Sequence, residues 1–426
     1  MNNSRCPTLP DPEPSMSSRS NPAAWPMSGG TPGRSHDRAS VRSAPPFLGL
    51  LLLLFVVSWP TVGRSQSRTP DGFAIPEPGA VFTFPRDHGS HPEYKIEWWY
   101  LTGHLFASNA VSPGHSRRFG FQATFFRRSA PRADTPGAGS TNFGTDQLYL
   151  AHMALLDVAS GRFLHEERLN RDGWDAGSDT NSLDVHNGNW SLRLIAPPTV
   201  RLELNGGIRA DARFQLTLVP SKPLVRFGTN GVSRKAAEPS AASHYLTFPR
   251  LAAQGNVSLG GENFAVSGQA WMDHEISSSQ LGAGQVGWDW TCLQFDDGRE
   301  IMAYRMRRQD GTTDPFSTLA WVDREGNKTH QNATEFKLEA LANWTSPRTR
   351  AVYPGKLRLT TRDPATGRLR SFTLEPLAVD QELAGGFGGI PYWEGACRVR
   401  DESGAEIGQA FLEMTGYAGH LRETLQ

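Results

Sequence analysis

Cysteine is scarce: the 426-residue chain holds three, Cys6, Cys292 and Cys397. None sits in a Cys-x-x-Cys or Cys/His spacing, which argues against a structural zinc site, a thioredoxin-like motif or a disulfide framework. Cys292 and Cys397 could pair with each other or lie buried and unpaired. Net charge is missing too, at +0 overall. Residues 1–70 carry seven Arg against three acids, a net of +4, so the remainder carries −4. Such a body lacks the concentrated basic surface that nucleic-acid binding requires. No helical stripe is sustained, and neither a Gly-x-Ser-x-Gly elbow nor a His-Glu-x-x-His spacing occurs. The glycine run Gly385-Gly386-Phe387-Gly388-Gly389 precedes a strand-like segment, not the helix a phosphate-cradling loop needs. His104, His152, His244 and His274 are scattered. No metal ion and no organic cofactor are expected.

Long apolar runs are limited to one, Phe47–Trp59, whose 13 residues fall short of the roughly 20 of a comfortable membrane span. Residues 1–46 are aperiodic and rich in Pro, Ser and Arg, which predicts disorder. Arg34, Arg38 and Arg42 precede the run, and Gly63, Ser65 and Ser67 follow it. That order predicts a leader and secretory signal over residues 1–66, cleaved near 63–67, with translation beginning at Met1 or Met27. The expected destination is the periplasm or the exterior; an uncleaved N-terminal membrane anchor is the alternative.

What the chain has in plenty is turn residues and alternation. With 43 Gly, 30 Pro and 38% hydrophobic residues, it can build a real core punctuated by many turns. Tyr94, Ile96, Trp98 and Tyr100 alternate with Lys95, Glu97 and Trp99, as on a strand with two unlike faces. Val286–Phe295 runs into Asp296-Asp297-Gly298 and then Ile301–Met306, a hairpin pattern. The fold class expected is all-β with few helices, in two halves at 75–235 and 240–426. The polar, small-residue stretch Arg234–Ala242 is expected to link them.

Acids stand among the aromatic residues. A charged acid costs several kcal/mol to bury unless it is paired, so Glu97 and Asp289 are expected to face away from their Trp neighbours or to meet a buried Arg. The string Trp271-Met272-Asp273-His274-Glu275 differs, because three titratable groups adjoin. On a strand, Asp273 and Glu275 share one face and His274 takes the other. Repulsion between the two carboxyls and desolvation by aromatic neighbours would raise one pKa, giving an acid fit for proton donation. The alternative is a turn into the polar loop Ser277-Ser278-Ser279.

These strings resemble the AttH-like and carotenoid hydratase family, of the hydroxyneurosporene synthase type. The resemblance is carried, in order, by Glu97-Trp-Trp-Tyr-Leu-Thr-Gly-His104, Phe119–Arg127, Ala151-His152-Met153-Ala154 and Trp271–Glu275. Gly287-Trp-Asp-Trp290, Tyr392-Trp-Glu-Gly395 and Glu413-Met-Thr-Gly-Tyr417 complete it, so it spans about residues 75–420. It implies two lipocalin-like β units with an apolar pocket at or near their junction. It also implies a cofactor-independent addition of water to an isoprenoid double bond. By position, Asp273 resembles the proton donor, Trp271 the aromatic that stabilises the resulting cation, and His244 the pocket histidine. The second aromatic expected two residues after that histidine is absent, since Leu246 stands there, and alternation turns Tyr245 to the other face. Trp98, Tyr100, Tyr245, Trp288, Trp290 and Trp393 are the candidate ligand-binding aromatics.

Two further functions fit the same residues. One is a non-catalytic carrier of a hydrophobic small molecule, working with an ABC-type transporter. The other is a sugar-binding or glycoside-hydrolysing β protein, with Asp273 and Glu275 as a carboxylate pair.

Overall fold

The computed structural model describes residues 66–107, 117–130, 147–197, 199–385, 391–419 and 421. The expected leader and signal therefore lie outside the described residues, apart from Gln66. From Gly63 onward the chain belongs to one contact unit, built from two curled antiparallel sheets. A short 3-10 turn, Arg86–His88, precedes the first strand.

The first sheet contains β1 (Ile96–Ala107), β2 (Arg117–Ser129), β3 (Gln147–Asp157), β4 (Arg162–Arg171), β5 (Ala176–Ser178), β6 (Asp184–Asn187) and β7 (Trp190–Leu194). It continues with β8 (Leu202–Ile208), β9 (Ala212–Pro220), β10 (Val225–Phe227), β11 (Ser233–Arg234), β12 (Ala242–Leu259) and β13 (Glu262–Ser279). The order is β4-β3-β2-β1-β13-β12-β9-β8-β7-β6-β5, with β10 and β11 pairing onto β12. The second sheet contains β14 (Gln285–Phe295), β15 (Glu300–Arg308), β16 (Thr318–Val322), β17 (Lys328–Asn332) and β18 (Phe336–Thr345). Its remaining strands are β19 (Val352–Arg362), β20 (Leu369–Pro376), β21 (Glu382–Leu383), β22 (Tyr392–Arg400) and β23 (Glu406–Met414). They run β17-β16-β15-β14-β23-β22-β20-β19-β18, with β21 against β22.

The change of sheet falls between Ser279 and Gln285, some forty residues after the expected linker. Arg234–Ala242 is instead a hairpin connection inside the first sheet, since β11 pairs back onto β12 through Ser233–Ser243 and Arg234–Ala242. Its polar, small residues serve a turn, which has the same composition as a linker.

Three large apolar cores follow from the two-faced strands, beside a small cluster of Ala74, Tyr94, Leu246 and Ile276. One belongs wholly to the first sheet, around Trp99, Phe121, Phe125, Trp190 and Phe214. Another belongs to the second, around Phe295, Trp321, Tyr353 and Trp393. The third lies between the sheets, around Tyr100, Phe227, Tyr245, Trp271, Trp290 and Tyr304. The sheets approach closely where Gly120 on β2 faces β22: a Cβ there would lie 2.5 Å from the Cβ of Ala396. Glu300 on β15 ties them together, taking Lys222 Nζ and Arg250 Nε at 2.6 Å each.

The two Trp-rich strands solve their buried acids in the same way. Glu97 on β1 is the cross-strand neighbour of Arg127 on β2 and pairs with it at 3.0 Å. Asp289 on β14 is the neighbour of Arg305 on β15 and pairs with it at 2.6 Å. Both acids take the strand face opposite the cavity-lining Trp residues. Cys292 and Cys397 are buried and unpaired.

Candidate functional site

Strand register decides what meets at the sheet junction. Asp273 on β13 lies opposite Tyr100 on β1 and Thr247 on β12, while Glu275 lies opposite Trp98 and Tyr245. Cross-strand partners share a face, so Trp98, Tyr100, Tyr245, Thr247, Trp271, Asp273 and Glu275 all turn towards the second sheet. There β14 contributes Trp288 and Trp290, whose cross-strand partners are Met306 and Tyr304 on one side. Glu413 faces Trp290 from β23. Between these walls lies a cavity of about 350 Å³, lined chiefly by aromatic and aliphatic side chains. Leu148 and Leu169, 38% and 48% exposed, form part of its rim.

Asp273 is one of two buried carboxyls of the first wall, with Glu275. Its Oδ1 accepts Thr247 Oγ1 at 2.6 Å and Trp271 Nε1 at 2.8 Å. Its Oδ2 accepts the Tyr245 hydroxyl at 2.7 Å, and that hydroxyl accepts Trp290 Nε1 at 2.9 Å. Burial is the largest influence and pushes the pKa up from 3.8 to about 7; Glu275 adds to the rise, and the three hydrogen bonds hold it down. Near neutral pH the group is thus part acid, part carboxylate. Oδ1 already accepts two donors, so the acid proton belongs on Oδ2.

Glu275 is held differently. Lys235 Nζ pairs with it at 3.1 Å, and Ser243 donates a short hydrogen bond. The ammonium lies over the rings of Tyr304 and Tyr245, 4.2 and 4.7 Å from their centroids. Burial alone would lower the Lys235 pKa, but Glu275 and Tyr304 outweigh it and raise it. A lysine expected in a linker is therefore a buried cation paired with Glu275 in the cavity wall.

The sequence-predicted residues divide cleanly. Trp98, Tyr100, Tyr245, Trp288, Trp290 and Asp273 line the cavity. Trp271 stands behind that wall, donating to Asp273 and stacking 6.3 Å from Phe227. His244 does not reach the cavity. It faces the other side of β12, where Nε2 meets the Tyr94 hydroxyl at 3.2 Å and Phe82 packs edge-on at 5.3 Å. The expectation that Tyr245 turns away is reversed, because the Tyr245–Glu275 and Thr247–Asp273 pairing puts the odd-numbered residues of β12 on the cavity face. Trp393 is likewise misplaced: it is buried in the core of the second sheet, and its neighbour Tyr392 lines the cavity. Lys235, Tyr304, Tyr392 and Glu413 were not foreseen as site residues. Only Tyr392 and Glu413 carried a signal, as members of the quoted motifs.

His91, Glu97 and His274 bring three potential ligand atoms within 4.8 Å, on the face away from the cavity. Glu97 there is fully committed: Oε1 meets His91 Nδ1 at 2.9 Å and His274 Nε2 at 2.8 Å, and Oε2 accepts Arg127 Nε at 3.0 Å. Burial alone would raise its pKa, but Arg127 and the two histidines hold it well below the usual range. A cation would have to enter beside a guanidinium. The cluster fastens the segment around His91 to the sheet.

Two curled antiparallel sheets enclosing an aromatic cavity, with a carboxyl poised near neutrality in its wall, define a lipocalin-like protein. The AttH-like family model matches residues 75–417, and the chain belongs to that family. A crystal structure from Nitrosomonas europaea assigned as AttH is 33% identical, covers 81% of this chain and 100% of its own, and superposes with a TM-score of 0.69. Kievitone hydratase from Nectria haematococca is 13% identical over 83% of this chain and 98% of its own, with a TM-score of 0.57. CghA is 12% identical with the same coverage and a TM-score of 0.50. At those identities the last two likenesses are of fold. No protein of curated function matches this chain.

Proposed function

We propose that this protein adds water to a carbon–carbon double bond of an isoprenoid-type lipophile, by acid catalysis and without a cofactor. The observation that carries the proposal is Asp273: a carboxyl with a pKa of about 7 in the wall of an aromatic cavity. Alkene protonation needs an undissociated acid in a site that excludes bulk water. The alkene's π electrons take the Oδ2 proton of Asp273, a C–H bond forms at the less substituted carbon, and a tertiary cation is left. The faces of Trp98, Tyr245, Trp288 and Trp290 stabilise that cation. Water bonds to it, and a base takes the surplus proton. A cavity of about 350 Å³ suits a short isoprenoid, or the end of a long one whose remainder leaves past Leu148 and Leu169. The kinship in fold with a protein named as a hydratase agrees with this reaction.

The test uses lycopene and squalene, in detergent micelles prepared with H2 18O, and mass analysis of the products. Uptake of one labelled water by the wild type and its loss in Asp273→Asn are expected. If both proteins bind a probe equally and neither alters it, the protein is a carrier. Binding of sugars in place of both probes would refute hydration and lipophile carriage together.

A further inference from the structure

The second wall of the cavity holds a carboxyl pair that proton donation by Asp273 leaves unused. Glu413 on β23 and Glu394 on β22 are cross-strand partners on one face; Glu394 is buried and Glu413 half-buried. Glu413 lines the cavity and accepts Trp288 Nε1 at 3.1 Å. Glu394 lies just behind, and neither of its oxygens makes a hydrogen bond of good geometry, nor does the adjacent Tyr100 hydroxyl. The Tyr392 hydroxyl, also beside Glu394, is engaged with His152 Nδ1 at 2.7 Å, while His152 Nε2 is buried with no partner. Buried polar atoms left unmatched in this way are costly. Glu394 and the Tyr100 hydroxyl, side by side but poorly aligned for a hydrogen bond, gather with His152 Nε2 on one side of the cavity.

We infer that Glu413 is the base that accepts the proton of the attacking water, with Glu394 beside it as a neutral carboxylic acid. This rests on the hydration reaction proposed above. Asp273 belongs to the first sheet and Glu413 to the second, so an alkene held between the sheets meets an acid on one side and a base on the other. The step balances. The water oxygen bonds to the cationic carbon, one of its protons passes to the Glu413 carboxylate, and the neutral alcohol leaves. Asp273, then ionised, and Glu413, then protonated, exchange a proton to reset the site. The Tyr245 hydroxyl, which accepts Trp290 Nε1, stands between Asp273 and the strand that neighbours Glu413.

The titration of the pair is consistent with this division. Burial pushes Glu413 up to about 7; Glu275 raises it further, while Trp288 and Lys235 hold it down. Burial also drives Glu394 well above the ordinary range, Glu413 adds to that, and the Tyr100 and Tyr392 hydroxyls oppose it. His152 is kept neutral, pushed down to about 4 by burial. So near pH 7 Glu394 keeps its proton, and Glu413 is available as a carboxylate in part of the population. Two like charges that close cannot both be present.

The two carboxyls can be separated by following two processes on one probe, lycopene, in D2O. Protonation of the alkene followed by proton loss incorporates solvent deuterium, and needs the acid. Hydration needs the acid and the base. In Glu413→Gln, a neutral isostere of the protonated form, deuterium exchange should persist while the hydration rate falls by roughly a hundredfold, the low end for removal of a general base. In Asp273→Asn both should vanish. Glu413→Asp should restore part of the hydration, which a merely structural role would not predict. If Glu413→Gln hydrates like the wild type, or loses exchange and hydration in equal measure, Glu413 is not the base, and the Asp273 reaction survives. If the wild type does neither, the hydration reaction itself falls, and this role with it.

Discussion

Replacing Asp273 by Asn should make the protein more stable at pH 8 and leave its stability almost unchanged at pH 4. The folded-state pKa is raised from 3.8 to about 7, so the native protein holds this proton more tightly than the unfolded chain. The sign follows: the stabilising contribution is complete below the unfolded pKa and is lost as pH rises from about 4 through about 7. At about 1.4 kcal/mol per pH unit, the ionised group costs the fold at most about 4 kcal/mol at pH 8. Asn fits the same surroundings. Its carbonyl can replace Oδ1 and accept Thr247 and Trp271, and its amide can donate to the Tyr245 oxygen in place of the Oδ2 proton. The Tyr245 hydroxyl then loses its own acceptor, at a cost of about 1 kcal/mol. The net expectation is a gain of about 2–3 kcal/mol at pH 8, vanishing or slightly reversed at pH 4. Urea unfolding of both proteins across that pH range measures it. An equal effect of the substitution at every pH would refute the uncharged, buried carboxyl, as would a loss of stability at pH 8.

Other perturbations bear on the same network. Tyr245→Phe removes a donor that favours the carboxylate, so the Asp273 midpoint should rise by about one pH unit, followed by infrared titration of the carboxyl band. Glu275→Gln removes the charge that raises Asp273 and leaves Lys235 facing it, so the midpoint should fall in the same titration. Glu97→Gln strands the buried Arg127 guanidinium and should cost about 3–5 kcal/mol in denaturant unfolding, without altering the Asp273 titration. His244→Ala should loosen the packing of Phe82 and Tyr94, seen as faster amide exchange around Tyr94, and leave probe conversion intact.

Much of this architecture was legible in the sequence because alternation is a local signal. The two-faced strands around Trp98 and Trp288, the hairpin at Asp296–Gly298, and the shared face of Asp273 and Glu275 all follow from period two. The buried arginine partners of Glu97 and Asp289 follow from the cost of burying a charge. Register between distant strands leaves no such mark. A one-residue change of parity exchanges the faces, so His244, expected in the cavity from the resemblance, and Trp393 lie outside it while Tyr392 occupies it. Lys235 was hidden by its setting, since a hairpin turn and a domain linker draw on the same small and polar residues. Glu413 reaches the site only through the pairing of β23 with β14, a hundred and forty residues beyond Asp273 in the chain.

The measurement that tests the central claim most directly is the protonation of Asp273 itself. Infrared difference spectra of wild type and Asp273→Asn, with 13C-labelled aspartate, isolate its carboxyl band. The account predicts a protonated carboxyl at pH 6 that is lost with a midpoint near 7. A carboxylate already fully ionised at pH 5 would contradict it.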